Sequence, residues 1–169
     1  NRELIIGKKY KGEKKALRGM AHRYSNEIVA MLFGDKGIFE SRILYVKVTG
    51  NRKNIAMMDF DGFSRGNITN NDVINLFPTF ADQNTVIWTS YLRGKPDLYK
   101  GSILDGSSKI FIYSRAVESS PDVSPVDGTV AYASSKNGNL DIYTCNPDGT
   151  NVKQLTAHYG VDTSPSWSP

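Results

Sequence analysis

The 169-residue sequence predicts a mostly β protein, a partial β-propeller of about three four-stranded antiparallel blades. A strand and a helix left over from an α/β domain precede the blades. Three observations carry this prediction. A pattern recurs every 43 to 44 residues, each copy divides into short β-rich segments punctuated by turn residues, and a single long amphipathic helical pattern precedes the first copy.

Residues 1–10 read as a strand ending near Tyr10, and Lys11-Gly12 turns the chain. From Glu13 onward, Leu17, Met20, Ala21, Tyr24, Ile28, Met31 and Leu32 fall three and four apart, which puts them on one side of a helix that ends before Gly34. A strand and one helix bury too little apolar surface to offset chain entropy. Residues 1–36 therefore read as the C-terminal part of an N-terminal α/β domain, with Gly34-Asp35-Lys36-Gly37 leading into blades at 37–169. Because Asn1 begins inside a strand-like pattern, the chain is expected to be an excerpt of a longer protein.

The repeat keeps one register at four independent markers. Pro78, Pro121 and Pro165 stand 43 and then 44 residues apart, and so do Arg42, Thr85 and Thr129; Asn54, Asp97 and Asp141; and Ile68, Phe111 and Leu155. The extra residue falls at Asp127-Gly128, where the earlier copy has only Asn84. Arg42–Lys47, Val86–Ser90 and Val130–Ser134 are apolar and β-rich, as a strand buried on both faces requires. Asn54–Met58, Asp97–Lys100 and Asp141–Cys145 follow a turn rich in Gly, Asn and Lys, which predicts a hairpin. Asp61-Gly62, Asp105-Gly106 and Asp148-Gly149 mark the next reversal before a last strand. With Phe77–Phe80, Ser120–Ser124 and Ser164–Ser168 as strands around the prolines, each copy has four strands, the content of one propeller blade. Blade breaks are expected near residues 76 and 118, with the inner strand of a fourth blade starting at the end.

Composition narrows the chemistry. The net charge of +4 is uneven: residues 1–24 carry eight Lys and Arg against two Glu, and the remainder has thirteen basic and fifteen acidic residues. No aromatic residues are interleaved with the basic cluster for base stacking and no nucleic-acid motif is present, so it reads as a solvated face. No apolar run approaches the ~18 residues of a membrane span. The single Cys145 excludes an intrachain disulfide or a thiolate cluster and reads as a buried small hydrophobe. His22 lies off the helix stripe and reads as solvated. No nucleophile elbow, P-loop or H-E-x-x-H motif occurs, and two histidines, His22 and His158, are a poor basis for a triad. No catalytic residue, metal site or cofactor is expected. Asp97 and Asp141 recur at one place in successive blades, which argues for hydrogen bonding at the start of a strand over catalysis; Pro78, Pro121 and Pro165 are likewise structural positions of the repeat.

Ser120-Pro121 through Gly128, Asp141-Ile142-Tyr143, Pro147-Asp148-Gly149 and Asp162-Thr163-Ser164-Pro165-Ser166-Trp167-Ser168-Pro169 resemble the repeats of the TolB family, a six-bladed propeller family. Upstream, Ala21-His22-Arg23, Glu27-Ile28-Val29, Gly37-Ile38-Phe39 and Ser41-Arg42-Ile43 look like that family's junction between its α/β domain and propeller. The chain departs from the pattern at Phe80-Ala81-Asp82-Gln83-Asn84, where the family has Trp-Ser-Pro-Asp-Gly, and at Asn54, where it has Asp. The resemblance implies a non-catalytic periplasmic scaffold of the Tol-Pal system that supports outer-membrane integrity and cell division. It also implies two partners, peptidoglycan-associated lipoprotein and TolA, the latter reached through a segment outside this chain. The competing class is a propeller attached to a prolyl-oligopeptidase-like peptidase or forming the body of a polysaccharide lyase.

Binding would fall on the propeller face that carries the links between blades (70–77, 115–120, 157–164) and the hairpins between the second and third strands. Arg52, Phe77, Tyr91, Arg93, Lys95, Glu118, His158 and Asp162 are the candidate partner contacts there, with Tyr91 and Arg93 foremost because Tyr and Arg are favoured interface anchors. Three blades leave two open ends, so the isolated chain is expected to self-associate.

Overall fold

The computed structural model describes residues 7–169, and the greater part of the expected strand at 1–10 lies outside them. Gly7–Glu13 carry no regular element. A 3-10 turn at Lys14–Ala16 leads into helix α1, Leu17–Phe33. Gly34 ends α1 in the left-handed conformation (φ 74°), its N–H bonding Ala30 O at 3.0 Å, a geometry a glycine adopts without steric cost. Eleven strands follow and no helix occurs after α1. Among the described residues no helix is long and apolar enough to cross a membrane.

By contacts the chain divides into two compact units. The first holds the described part of Asn1–Ile43 together with Met58–Arg65. None of α1 is buried, and Leu17, Leu32 and Phe33 are exposed. What fastens the helix is polar: Arg18 binds Asp59 (2.5 Å) and Asp61 and lies over the Phe63 ring at 4.5 Å, while Asn26 accepts the Phe39 N–H at 2.9 Å. His22 is not the solvated side chain expected from its place off the stripe. Its Nδ1 meets Phe39 O, its Nε2 lies 3.3 Å from Asp61, and its ring packs edge-on against Phe60. The reason is that the 58–65 turn brings a carboxylate and a ring to the helix's polar side.

The second unit, Leu44–Met57 with Gly66–Pro169, holds the blades. Strands β1 (Arg42–Thr49), β2 (Arg52–Asp59) and β3 (Gly66–Asn67) form a three-stranded sheet. β4 (Asn75–Phe80), β5 (Thr85–Ser90), β6 (Asp97–Ser102) and β7 (Ser108–Ile112) form the second sheet, four-stranded in chain order. β8 (Glu118–Val123), β9 (Val130–Ser134), β10 (Asp141–Cys145) and β11 (Lys153–Gln154) form the third. Two expectations are corrected. The first sheet has three strands, because one repeat before β4 the register falls on residues 32–37, which are the end of α1 and the loop after it. Ser164–Ser168 joins no sheet, since no strand among the described residues flanks it.

Alternation along the strands places the core between blades. Val86 and Trp88 of β5 face one side with Ile55 and Tyr99, while Ile87 faces the other with Leu98, Val130, Tyr132, Tyr143 and Cys145. Each such side chain contributes about 1.5–3 kcal/mol on burial. The repeat is visible in the packing: Trp88 stacks on Tyr99 at 6.2 Å and 27°, and one copy later Tyr132 stacks on Tyr143 at 6.1 Å and 29°. Gly101 is required at this layer, because a Cβ there would lie 2.8 Å from the Trp88 ring.

Candidate protein-binding face

The inner strands begin, and the hairpins between second and third strands turn, at one end of the blades, where backbone bonds tie strand entries to hairpins both within a blade and from one blade to the next. Tyr91 N bonds Ile74 O (3.0 Å), Glu118 N bonds Pro96 O (3.1 Å), Ser135 N bonds Val117 O (3.0 Å) and Asp162 N bonds Leu140 O (2.7 Å). This frame sets four side-chain positions of the repeat next to one another at each seam between blades. They are Arg52, Lys95 and Asn139; Asn54, Asp97 and Asp141; Asn71, Ser114 and His158; and Asn75, Glu118 and Asp162, each set in the 43 and 44 spacing.

The first seam is neutral and fully bonded. Asn54 Oδ1 accepts from Thr69 Oγ1 (2.9 Å) and Asn71 N (3.2 Å), and Asn75 donates to Lys53 O (3.0 Å) and Asn71 Oδ1 (2.8 Å) while accepting the Trp88 indole N–H (3.2 Å). Arg52 turns outward to Asp72 at 2.8 Å. The second seam is charged. Asp97 and Glu118 are buried, the Lys95 ammonium contacts Asp97 and lies 3.6 Å from Glu118 Oε2, and Ser114 donates to Glu118 Oε1 at 2.5 Å. Burial outweighs these partners and holds the Glu118 carboxyl above the usual range. In the third seam Gln154 Nε2 donates to Asp141 Oδ2 at 3.0 Å, and His158 Nε2 lies 3.1 Å from Asp162 Oδ2. Asp97 and Asp141 thus accept from side chains at the start of their strands, from Lys95 and Gln154.

The remaining candidates divide by exposure. Tyr91 is partly exposed, and Arg93 stacks its guanidinium over Tyr113 at 4.8 Å, both available at the surface. Phe77 is half exposed and lines a 220 Å³ cavity with Pro78, Ser120, Pro121, Ser164 and Pro165. In each copy the residue before this proline is left-handed, with φ of 51° at Phe77, 52° at Ser120 and 55° at Ser164. Lys95 and Glu118 face each other within the second seam, while His158 and Asp162 belong to the third. Sequence reasoning missed the seams, although the recurrence of Asn75, Glu118 and Asp162 was there to be read. Cys145 is buried and its thiol is pushed up to about 11 by that burial. Among the described residues no group of three or more His, Cys, Asp or Glu is placed to hold a metal.

Residues 29–169 match the family model of the TolB beta propeller domain. The Tol-Pal system protein TolB of Desulfosudis oleivorans is 36% identical over 158 residues, covering 93% of this chain and 36% of that protein. The crystal structure of TolB from Acinetobacter baumannii is similar with a TM-score of 0.81 at 24% identity, over 94% of this chain and 41% of that one. A puromycin-hydrolyzing peptidase of Mycobacterium tuberculosis shares the fold at a TM-score of 0.62 and 14% identity, over 75% of this chain and 22% of that one. The chain spans just over a third of the curated relative it matches.

Proposed function

This chain belongs to the TolB β-propeller family, and on that footing we propose that it is part of a non-catalytic, periplasmic protein-binding scaffold of the Tol-Pal system. In this reading residues 1–36 close an α/β domain and 37–169 supply blades. Their hairpin and link face binds peptidoglycan-associated lipoprotein, and TolA is engaged through a segment outside this chain. The scaffold supports outer-membrane integrity and cell division. The observation that carries the reading is the family match running from the end of α1 through all three sheets. Tyr91 and Arg93, exposed on that face, are its first contacts.

Calorimetry of the full-length protein with the purified lipoprotein tests it. Saturable binding is expected at or below ~100 μM, a weak limit for a specific partner, and no heat or shift at that concentration overturns it. The fold likeness to a puromycin-hydrolyzing peptidase favours a second reading, a propeller that gates a peptidase. Hydrolysis of short peptides by the full-length protein would select it.

A further inference from the structure

The three seams differ in what neutralises them. The first pairs amides, Asn54 with Asn75, and sets no charge inside. The second pairs carboxylates, Asp97 with Glu118, and the Lys95 ammonium reaches both. The third keeps two carboxylates, Asp141 and Asp162, but has Asn139 where the second has Lys95.

Asn139 does not replace the missing cation. Its amide N–H groups are spent on His158 O (2.7 Å) and Gly160 O (2.6 Å), which leaves its Oδ1 as one more acceptor. His158 Nδ1 accepts the Gly160 N–H at 2.9 Å, and its Nε2 lies 3.1 Å from Asp162 Oδ2, so the ring turns toward Asp162 rather than Asp141. Two buried oxygens in this seam, Asn139 Oδ1 and Asp141 Oδ1, consequently have no donor, while Asp162 Oδ2 has only His158 Nε2 at 3.1 Å. In the second seam Asp97 Oδ2 and Glu118 Oε2 likewise lack a hydrogen bond, but there the Lys95 ammonium supplies the compensating charge. Asp141 is only 4% exposed, and with Asn139, Gln154 and His158 it lines an open cleft of about 570 Å³. A buried carboxylate oxygen without a donor is costly, and the surplus here is of acceptors alone.

We infer that this cleft receives the cationic end of a Lys or Arg side chain from a partner polypeptide, which takes the place that the Lys95 ammonium fills one seam earlier. The inference rests on the reading of this face as protein-binding. Donors are what the seam lacks, and an ammonium or guanidinium brings three to five of them with the compensating charge. A guanidinium spreads those donors in a planar fork and is the more weakly hydrated of the two. The cleft opens at the hairpin and link end of the blade, where a bound polypeptide could reach it.

The test uses the full-length protein and Nα-acetyl-arginine amide as probe, followed by NMR on the side-chain amides of Asn139 and Gln154. Saturable shifts in the millimolar range are expected, with none from the neutral isostere Nα-acetyl-citrulline amide. Asp141→Asn should weaken the probe by about tenfold or more, the usual loss of one charge-assisted contact. Asn139→Lys, which restores a tethered ammonium, should abolish probe binding and raise the melting temperature. Equal binding of the citrulline probe overturns the inference. So does an Asn139→Lys protein that binds and melts as the parent does, or saturation by calcium chloride at concentrations where the arginine probe is still free. Unchanged lipoprotein affinity in both variants would sink the cleft and leave the scaffold reading intact; arginine binding without lipoprotein binding would do the reverse.

Discussion

Glu118 shows how burial and pairing compete at a single side chain. It is 1% exposed, and burial outweighs the Ser114 hydrogen bond and the Lys95 charge, so its carboxyl is raised above the ordinary 4.5. A carboxyl raised in the folded state contributes stability that is fully present below the unfolded value and is lost as pH rises through the folded one. Glu118→Gln keeps the shape and an oxygen for Ser114 but removes the titration. Urea midpoints should therefore show the variant gaining on the parent as pH climbs from about 4.5 to 8; a gap constant across that range would refute the assignment. Cys145 was legible from sequence as a buried apolar residue. Glu118 and Lys95 were legible only as loop residues near one end, because spacing says that two positions recur but not that the strand entry of one blade folds over the hairpin of the last.

Among the elements, β4 and β8 share an irregularity where their pairing shifts, between Leu76 and Thr79 and between Ser119 and Asp122. Each holds a left-handed non-glycine residue directly before proline, a conformation that costs of order 1–3 kcal/mol. At the second of these the Ser120 N–H is satisfied by Thr89 Oγ1 at 3.1 Å, which helps hold the kink. Ser120→Val adds a β-branch where the backbone tolerates it least and should destabilise by about 1–3 kcal/mol. Ser120→Gly should change stability by less than about 1 kcal/mol, since relief of strain is offset by a freer unfolded chain. Equal denaturation midpoints for the two variants would show that the kink is unstrained. Strand placement was read closely: Val86–Ser90 became Thr85–Ser90 and Asp141–Cys145 was recovered whole, because β-rich runs and turn residues act locally. The two-residue lengths of β3 and β11 were not read, because a strand's length depends on the neighbour it pairs with.

For the whole molecule, an array of sheets that each pack on the next has an open face at either end. The 169-residue chain by itself should therefore self-associate, as two copies that pack open ends or complete a ring. Light scattering at ~100 μM, far above the range of a stable interface, should report a dimer or larger; a folded, strictly monomeric species would show that three blades close their core unaided.

The unequal seams also make assembly order chemically distinguishable. A chain of near-identical units risks one unit docking on the wrong neighbour while it folds. Were the third sheet to settle on the first, Glu118 would come to lie against Asn54 and forfeit Lys95, a buried charge without its counter-ion that costs about 3–5 kcal/mol. Three seams of different polarity thus work as an address written into each blade, legible only to its proper neighbour.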